Sequence, residues 1–177
     1  MVGLAHAEAG EFSTIPPYDT GGNIDCKHIV QGSVLYLPVR VKGALFSCGD
    51  GHAAQGDGES CGTAIETPMH ATIKLTVEKS KPWVTSPHFI TPKDESVKSE
   101  KGEYAALGID ADLREASRKA LRGMIAWLVA EKGLSREEAY MLASVAADLK
   151  IAEIVDMPHY AVACSLPLNV FVGAPYV

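Results

Sequence analysis

The hydrophobic pattern indicates strands in the first half of the chain and near its end. Residues 70–79, HATIKLTVEK, alternate apolar and polar positions, which predicts a half-buried strand. The run SVLYLPVRV at 33–41 predicts a strand interrupted at Pro38, and ALFSC at 44–48 is a short apolar run. The segment HYAVACSLPLNVFV at 159–172 also has strand character.

Two amphipathic helices are predicted before that last strand. Apolar residues recur at three- and four-residue steps between Asp110, a suitable N-cap, and Gly133, a suitable stop. The stripe consists of Leu113, Ala116, Ala120, Met124, Trp127 and Leu128. The next segment, LSREEAYMLASVAADLKI at 134–151, begins with a capping box formed by Ser135 and Glu138. Because the connection is short, we expect the two helices to pack as an antiparallel pair.

Together these elements predict an α+β fold that is mainly β. We expect a sandwich-like sheet core with the antiparallel helix pair packed on one side, formed by residues 1–177 as a single domain. Within residues 80–103, KPWVTSPHFITP predicts short strand pieces and KDESVKSEKGE a charged surface loop.

Composition and charge narrow the class of protein. The formal net charge of −6 and the scattered basic residues argue against nucleic acid or an anionic membrane as the main partner. No apolar run is long enough to span a membrane, and the N-terminal residues lack a basic region followed by an apolar one, so we expect no signal peptide. The four cysteines lack zinc-finger spacing. We therefore expect a cytoplasmic globular protein with free thiols.

Most candidate catalytic and metal-binding residues lie in residues 49–66, GDGHAAQGDGESCGTAIE, which contain no lysine or arginine. A phosphate loop is excluded because Asp57 occupies the position of its lysine. Residues 58–62 match the GxSxG pattern of a serine nucleophile, but that pattern requires a helix after it. Cys61 would need a neighbouring base such as His52 to act as a nucleophile.

The remaining interpretation is a metal or general-base site. Asp50 and His52 project from the same side of an extended segment, and Asp57 and Glu59 repeat this spacing with two carboxylates. Imidazole and carboxylate ligands suit Zn²⁺ or a similar ion, and a carboxylate outside the metal shell can accept a proton from water. Two ordinary Asp-Gly turns would give the same spacing, so the pattern alone leaves both interpretations open.

The whole stretch D-x-H-A-A-Q-G-D-G-E-x-C-G-T-A-I-E strongly resembles the acetamidase/formamidase family. The segments EAGEFSTIPPYDTGGNID, LYLPVRVKGALFSCGD and LSREEAYMLASVAADLKIAEIVD resemble the same family in the same order. The resemblance runs from about residue 3 to residue 172. It implies hydrolysis of a short aliphatic amide to a carboxylate and ammonia, a divalent metal (zinc, or calcium as another possibility), a largely β fold and assembly into homo-oligomers.

The resemblance also suggests roles for particular residues. Asp50 and His52 would bind the metal, with Glu66 as a third ligand, and Asp57 or Glu59 would be the base that activates water. The residues expected to bind substrate or stabilise the oxyanion are Gln55, Gly56, Gly58 and Gly62. Asn23 and Asp148 fall in matching segments without an assigned role, and His88 is a candidate distant ligand.

Members of the family begin with a longer N-terminal region, so the sequence resembles their C-terminal portion. We therefore keep two hypotheses, an amide hydrolase and a non-catalytic fragment or subunit that needs a partner chain. That partner would supply the N-terminal region.

Overall fold

A computed structural model describes residues 1–93 and 101–172. Its largest sheet contains five antiparallel strands: β4 (Val34–Tyr36), β8 (His88–Ile90), β9 (Glu103–Asp110), β10 (Asp148–Glu153) and β11 (Tyr160–Pro167). Their order in the sheet is β10-β11-β9-β8-β4. The two central strands, β9 and β11, are each eight residues long and buried along almost their whole length, so they form the centre of the core.

Two helices cover one face of this sheet. Helix α1 (Leu113–Lys132) is capped by Asp112 and ends at Gly133, whose left-handed φ of 68° suits glycine. Helix α2 (Arg136–Ala146) begins with the capping box of Ser135 and Glu138. The stripe of α1 is buried against β9 and β11, and it includes a stacked Tyr104–Trp127 ring pair with centroids 3.8 Å apart.

Small residues let helix α1 approach the sheet closely. A Cβ on Gly108 would lie 1.9 Å from the carbonyl oxygen of Ala116, so only glycine fits at this point of β9. The opposite face of the sheet is mostly alanine, and it is closed by a second cluster around Ile24, Cys26 and Phe89. Residues 24–29 are thereby fixed against the back of the sheet, the face opposite the helices, and this fixes the position of Asp25.

Two smaller antiparallel sheets are formed by other strands of the first half of the chain. These strands are β1 (Val2–Gly3), β2 (Pro17–Tyr18), β3 (Gly21–Gly22), β5 (Ser47–Cys48), β6 (His52–Ala54) and β7 (Ile65–Glu66). One sheet has the order β2-β3-β1-β5, and the other pairs β6 with β7. A 3-10 turn at Leu168–Val170 follows β11. Neither α-helix among the described residues has the length and apolarity needed to cross a membrane.

The predicted fold class is confirmed, because the chain is rich in antiparallel strands and carries its helix pair on one side of a sheet. The predicted capping box and the stop at Gly133 are also confirmed. The predicted N-cap at Asp110 is wrong, since the helix is capped by Asp112 and Asp110 ends β9. The segment predicted as a second helix to residue 151 turns into strand β10 after Ala146.

The strand predicted at 70–79 is also wrong for this structure. All ten residues are exposed, and they form no ladder with any strand of the described chain. A strand requires a hydrogen-bonding neighbour, which an alternating sequence does not itself provide. The predicted charged loop lies partly at residues 94–100, outside the described residues.

Candidate active site

The β6–β7 hairpin presents the first candidate residues. His52 lies opposite Glu66 in its ladder. The Nδ1 of His52 is 2.9 Å from Oε1 of Gln55, and its Nε2 is 3.2 Å from Oδ1 of Asp50. Since both partners are acceptors, both ring nitrogens donate, as in a protonated imidazole. Burial alone would lower the pKa of His52, but the bond to Gln55 and the carboxylate of Asp50 outweigh it and raise this pKa.

Glu59 is placed by a loop that is fastened to the large sheet. The N–H of Gly58 donates to the carbonyl of Ala152 at 3.0 Å, and its carbonyl accepts from the N–H of Ile154 at 3.1 Å. The next side chain, Glu59, is only 5% exposed, and its Oε1 lies 4.0 Å from Nδ1 of His52. The bridge to β10 therefore brings the glycine-rich loop and the end of the large sheet together.

Two further carboxylates come from distant parts of the sequence. Asp25 lies between two residues that are buried against the back of the sheet, and its carbonyl accepts a hydrogen bond from the side-chain amide of Gln55. Asp156 lies in the loop after β10, where its backbone N–H donates to Oε2 of Glu153 at 3.0 Å. The carboxylate of Asp156 accepts from the amide of Asn23 at 3.0 Å and shares a hydrogen bond with Asp25.

These side chains form two groups that share Asp25. The potential ligand atoms of Asp25, Asp50 and His52 all lie within 4.8 Å of one another, and so do those of Asp25, Glu59 and Asp156. Within residues 1–93 and 101–172, no ion pair joins a lysine or arginine to any of these carboxylates. The first group has the mixed nitrogen and oxygen donors that suit Zn²⁺, and the second has the all-oxygen donors that suit Ca²⁺.

Burial, and then the neighbouring carboxylates, raises the pKa of several acidic groups at the site. Burial, followed by the charge of Asp25, raises the pKa of Glu59 to about 7. Burial and the hydrogen bond with Asp25 raise the pKa of Asp156 to about 7. Burial also raises the pKa of Glu153, although three backbone N–H groups oppose this. A carboxyl group with a pKa near neutrality can both accept and donate a proton under physiological conditions.

The backbone at the site is strained. Asp25, Asp50 and Glu59 have positive φ angles of 33°, 53° and 43°, in the left-handed region that favours glycine. In addition, Oε1 of Glu153 and Oδ1 of Asn23 are buried without a hydrogen-bond partner in the described part of the chain. Strained backbone and unsatisfied polar atoms together are typical of functional sites.

The structure brings some of the sequence-predicted residues together and separates others. Four of them meet at one imidazole, because the ring of His52 lies near the side chains of Asp50, Gln55 and Glu59. Asp57, the other candidate base, instead faces Lys27 at 2.9 Å and His28 at 3.0 Å. Glu66 belongs to neither ligand group, but it lines an open depression of about 280 Å³ together with Asp50. The individual roles of these residues stay predictions.

The glycine backbone N–H groups were expected to be free to contact an oxyanion, but two of them are already hydrogen-bonded. The N–H of Gly58 is bonded to the large sheet, and that of Gly62 donates to the carbonyl of Glu59 at 2.7 Å. Neither can stabilise an oxyanion in this conformation. Gly56 makes no such donation among the described residues, so its predicted role stands as a prediction.

The three residues without a firm role lie in different places. Asn23 contacts the site through Asp156, as given above. Asp148 is exposed at the start of β10 and belongs to neither ligand group. His88 is 1% exposed in the core, where its Nδ1 lies 2.8 Å from the hydroxyl of Tyr104, so it is not a ligand in this site.

The GxSxG match lacks the setting of a serine nucleophile. After Gly62 the chain passes into strand β7 rather than into a helix. Both ring nitrogens of His52 are engaged elsewhere, and the thiol of Cys61 lies 3.5 Å from the hydroxyl of Thr63, not beside His52. We therefore do not assign a nucleophile to Ser60 or Cys61.

Asp25, Glu153 and Asp156 were missed by sequence reasoning. Their separation along the chain gives no sign that they meet, because the contacts depend on strands that pair over long distances. The one available signal was that NID at 23–25 and IVD at 154–156 end two of the segments that carry the family resemblance.

Imidazole nitrogens and carboxylate oxygens are the ligand types found in many hydrolytic metal centres. Residues 4–172 match the model of the Acetamidase/Formamidase family, and the chain belongs to this family.

A formamidase from Methylophilus methylotrophus is 34% identical over 178 residues, covering 93% of this chain and 43% of that protein. An acetamidase from Mycolicibacterium smegmatis is 34% identical over 143 residues, covering 73% of this chain and 35% of that protein. The crystal structure of acetamidase from Yersinia enterocolitica has a TM-score of 0.77 and 30% identity, covering 96% of this chain and 48% of that one. That of acetamidase from Bacillus halodurans has a TM-score of 0.75 and 30% identity, covering 96% and 54%. The chain thus spans about half, or less, of the length of these relatives.

Proposed function

We propose that this chain hydrolyses the C–N bond of a short aliphatic amide, such as formamide or acetamide, to a carboxylate and ammonia. The observation that carries the proposal is the meeting of Asp25, Asp50, His52, Glu59 and Asp156 at one place. These residues come from three distant segments, in a chain of the Acetamidase/Formamidase family. The open depression beside Asp50 is large enough for a substrate of a few heavy atoms.

The donor set fits a divalent metal, which we propose as the cofactor. Among the described residues, several carboxylates are buried together without a lysine or arginine partner, and Oε1 of Glu153 has no hydrogen-bond partner. Asp50, His52 and Asp25 would hold zinc, whereas Asp25, Glu59 and Asp156 would suit calcium. A divalent ion would supply a Lewis acid that polarises a carbonyl group or acidifies a water molecule.

Of the two predicted bases, Glu59 fits the proposed chemistry better than Asp57. Glu59 is buried beside His52 with a pKa of about 7, whereas Asp57 is held by Lys27. In the proposed reaction Glu59 accepts a proton from water as the new C–O bond forms at the amide carbon. It then returns that proton to the nitrogen as the C–N bond breaks, so that ammonia leaves.

Gln55 acts as a positioning residue in this proposal. Its side-chain oxygen accepts from Nδ1 of His52, and its nitrogen donates to the backbone of Asp25. The first contact leaves Nε2 as the ring nitrogen that can coordinate a metal in place of its present bond to Asp50.

The second candidate function is a non-catalytic part of a larger amidase. It is favoured by the short coverage, since this chain spans only 43% of the Methylophilus formamidase. In that case the metal ligands would be present, but catalysis would require a partner chain.

The test is ammonia release from formamide and acetamide by the purified chain, with and without added Zn²⁺ or Ca²⁺. We expect release that a chelator suppresses and that the metal restores. Metal binding without ammonia release under any of these conditions would instead support the second candidate function.

Measuring the metal bound by two variants tests the metal site independently of the reaction. Asp50→Asn and His52→Gln should both lower bound metal, while Asp148→Asn, an exposed carboxylate outside the ligand groups, should not. Unchanged zinc stoichiometry in the first two variants would refute Asp50 and His52 as zinc ligands. Ser60→Ala should leave turnover nearly unchanged, whereas a serine nucleophile would require its loss.

A further inference from the structure

A second pocket lies beside the candidate active site, at the small sheet of β1, β2, β3 and β5. Its volume is about 210 Å³. Two of its lining side chains, Phe12 and Leu45, are apolar and 39% and 68% exposed. The described lining residues include no Asp, Glu, Lys or Arg. A neutral ligand with an apolar part therefore suits this pocket better than a charged one, which would lose its hydration there without gaining an ion pair.

Three flat rings contribute to the wall of this pocket. The rings of His6 and Phe12 are stacked with centroids 3.9 Å apart, and Tyr18 lies edge-on to His6 with centroids 4.4 Å apart. The hydroxyl of Tyr18 donates to the carbonyl of Ser13 at 3.1 Å, which ties the segment of Phe12 to β2. Aromatic rings gain from stacked and edge-on contacts with one another, beyond the area that they bury. Since an apolar cavity of about 150 Å³ can hold benzene, this pocket has room for a single aromatic ring.

Asn23 connects the pocket to the candidate site. It lines the pocket, and its side-chain amide donates to the carboxylate of Asp156, in the second ligand group, at 3.0 Å. The N–H of His159 donates to the carbonyl of Asp156 at 3.3 Å, and the ring of His159 lies edge-on to Tyr18, with centroids 5.5 Å apart. The wall of the pocket therefore contacts the turn of Asp156 at two points.

Asn23 also has an unused acceptor. Its Oδ1 is buried and has no hydrogen-bond partner among the described residues, whereas its Nδ2 is used twice, by Ile15 and by Asp156. An N–H donor from a ligand would satisfy this oxygen, and the –NH₂ of a primary carboxamide is such a donor.

We propose that this pocket binds the ring of an aromatic primary carboxamide, with the carboxamide group at Asn23, beside Asp156. The inference rests on the proposed function, and it extends the substrate class from formamide and acetamide to amides such as benzamide, which would yield benzoate and ammonia. Formamide and acetamide have no group that could reach the aromatic wall. Phe12 is then a residue that determines specificity for the acyl group.

The first experiment measures benzamide binding to the full chain by NMR titration, with a chelator present so that turnover does not interfere. We expect contacts between the benzamide ring protons and the rings of Phe12 and Tyr18. Phe12→Ala should weaken binding by roughly tenfold, because it removes one of the stacked rings. Ile15→Ala is the matched control, since it removes an exposed apolar side chain from the same segment that does not line the pocket. It should leave the dissociation constant nearly unchanged.

The second experiment compares kcat/KM for benzamide and acetamide with the metal present. Phe12→Ala should lower kcat/KM for benzamide by roughly tenfold and leave that for acetamide nearly unchanged, because acetamide does not reach the ring. Ile15→Ala should change neither value. Circular dichroism verifies that both variants fold.

The outcomes separate this inference from the proposed function. A chain that does not bind benzamide, or that binds it equally well without the ring of Phe12, would overturn the inference. Hydrolysis of acetamide without hydrolysis of benzamide would overturn it as well, while the proposed function stands. Binding at Phe12 without ammonia release from either amide would support the aromatic site and count against catalysis by this chain. An equal loss of activity towards both amides in Phe12→Ala would show a structural role and overturn the assignment of specificity.

Discussion

His88 should make the stability of the fold depend on pH. Its imidazole is buried between the large sheet and helix α1, beside Trp83 and in contact with the hydroxyl of Tyr104. Burial lowers the pKa of His88 from 6.5 to about 4, because the core cannot solvate an imidazolium. The unfolded chain therefore takes up this proton at a higher pH than the native protein does.

The direction and the size of the pH effect on stability follow from this difference in pKa. The contribution of neutral His88 to stability is fully present above pH 6.5 and is lost as the pH falls towards 4. Since one pKa unit corresponds to about 1.4 kcal/mol, the complete loss would be about 3 kcal/mol. From about pH 7.5 to about pH 5 the unfolded chain takes up nearly a whole proton and the native protein little, so we expect a loss of about 2 kcal/mol.

The assay is urea unfolding of the wild type and of His88→Gln at several pH values between these limits. Glutamine keeps a hydrogen-bonding group near Tyr104 but does not titrate, so subtracting the two curves removes the contribution of every other group. We expect the free energy of unfolding of the wild type to fall more steeply, by about 2 kcal/mol. Parallel curves would refute a neutral, buried His88. Bound metal should be unchanged in the variant, whereas a distant metal ligand would require its loss.

Three further predictions concern packing and the site. Gly108→Ala should destabilise the fold by about 1–3 kcal/mol in urea unfolding, because its Cβ would lie 1.9 Å from the backbone of α1. Gly123→Ala, whose Cβ would lie 3.0 Å from its nearest neighbour, should cost much less, and equal losses would contradict this. Gln55→Ala should weaken metal binding by roughly 10–100-fold in a chelator competition, and unchanged affinity would rule out a positioning role. Glu59→Gln should lower kcat by about 10²-fold or more, while Asp57→Asn should change it only slightly; the reverse result would make Asp57 the base.

The sequence predicts the helices well because their signals are local. The capping box at Ser135 and the glycine stop at Gly133 act within one turn, and the apolar stripe of α1 needs only a sheet to pack against. Strands depend on partners far along the chain. Strand β9 was not recognised because EYAALGID is nearly all apolar, without the alternation that marks a half-buried strand. Conversely, residues 70–79 alternate well but have no strand beside them in the described chain.

The same distinction between local signals and long-range contacts applies to the candidate site. Asp50, His52, Gln55 and Glu59 were found because they lie within one glycine-rich segment. Asp25 and Asp156 could not be found from spacing, since the first reaches the site through packing behind the sheet. The second reaches it through a turn held by the buried carboxylate of Glu153. Residue type alone could not decide whether Asp57 or Glu59 is the better candidate base. Only the folded loop shows that Asp57 faces Lys27 and that Glu59 faces His52 in the cluster.

The arrangement of the carboxylates itself argues for a function that requires them. Asp25, Asp50 and Glu59 hold left-handed backbone angles, and each such residue costs on the order of 1 kcal/mol. Burial, followed by the neighbouring Asp25, raises the pKa of both Glu59 and Asp156, so their negative charges oppose folding near neutral pH. A fold selected for stability alone would replace such residues with glycine or with neutral amides. This strain and charge support the proposal that the cluster binds a cation, which would offset both, and metal binding, not activity alone, is the measurement that tests it.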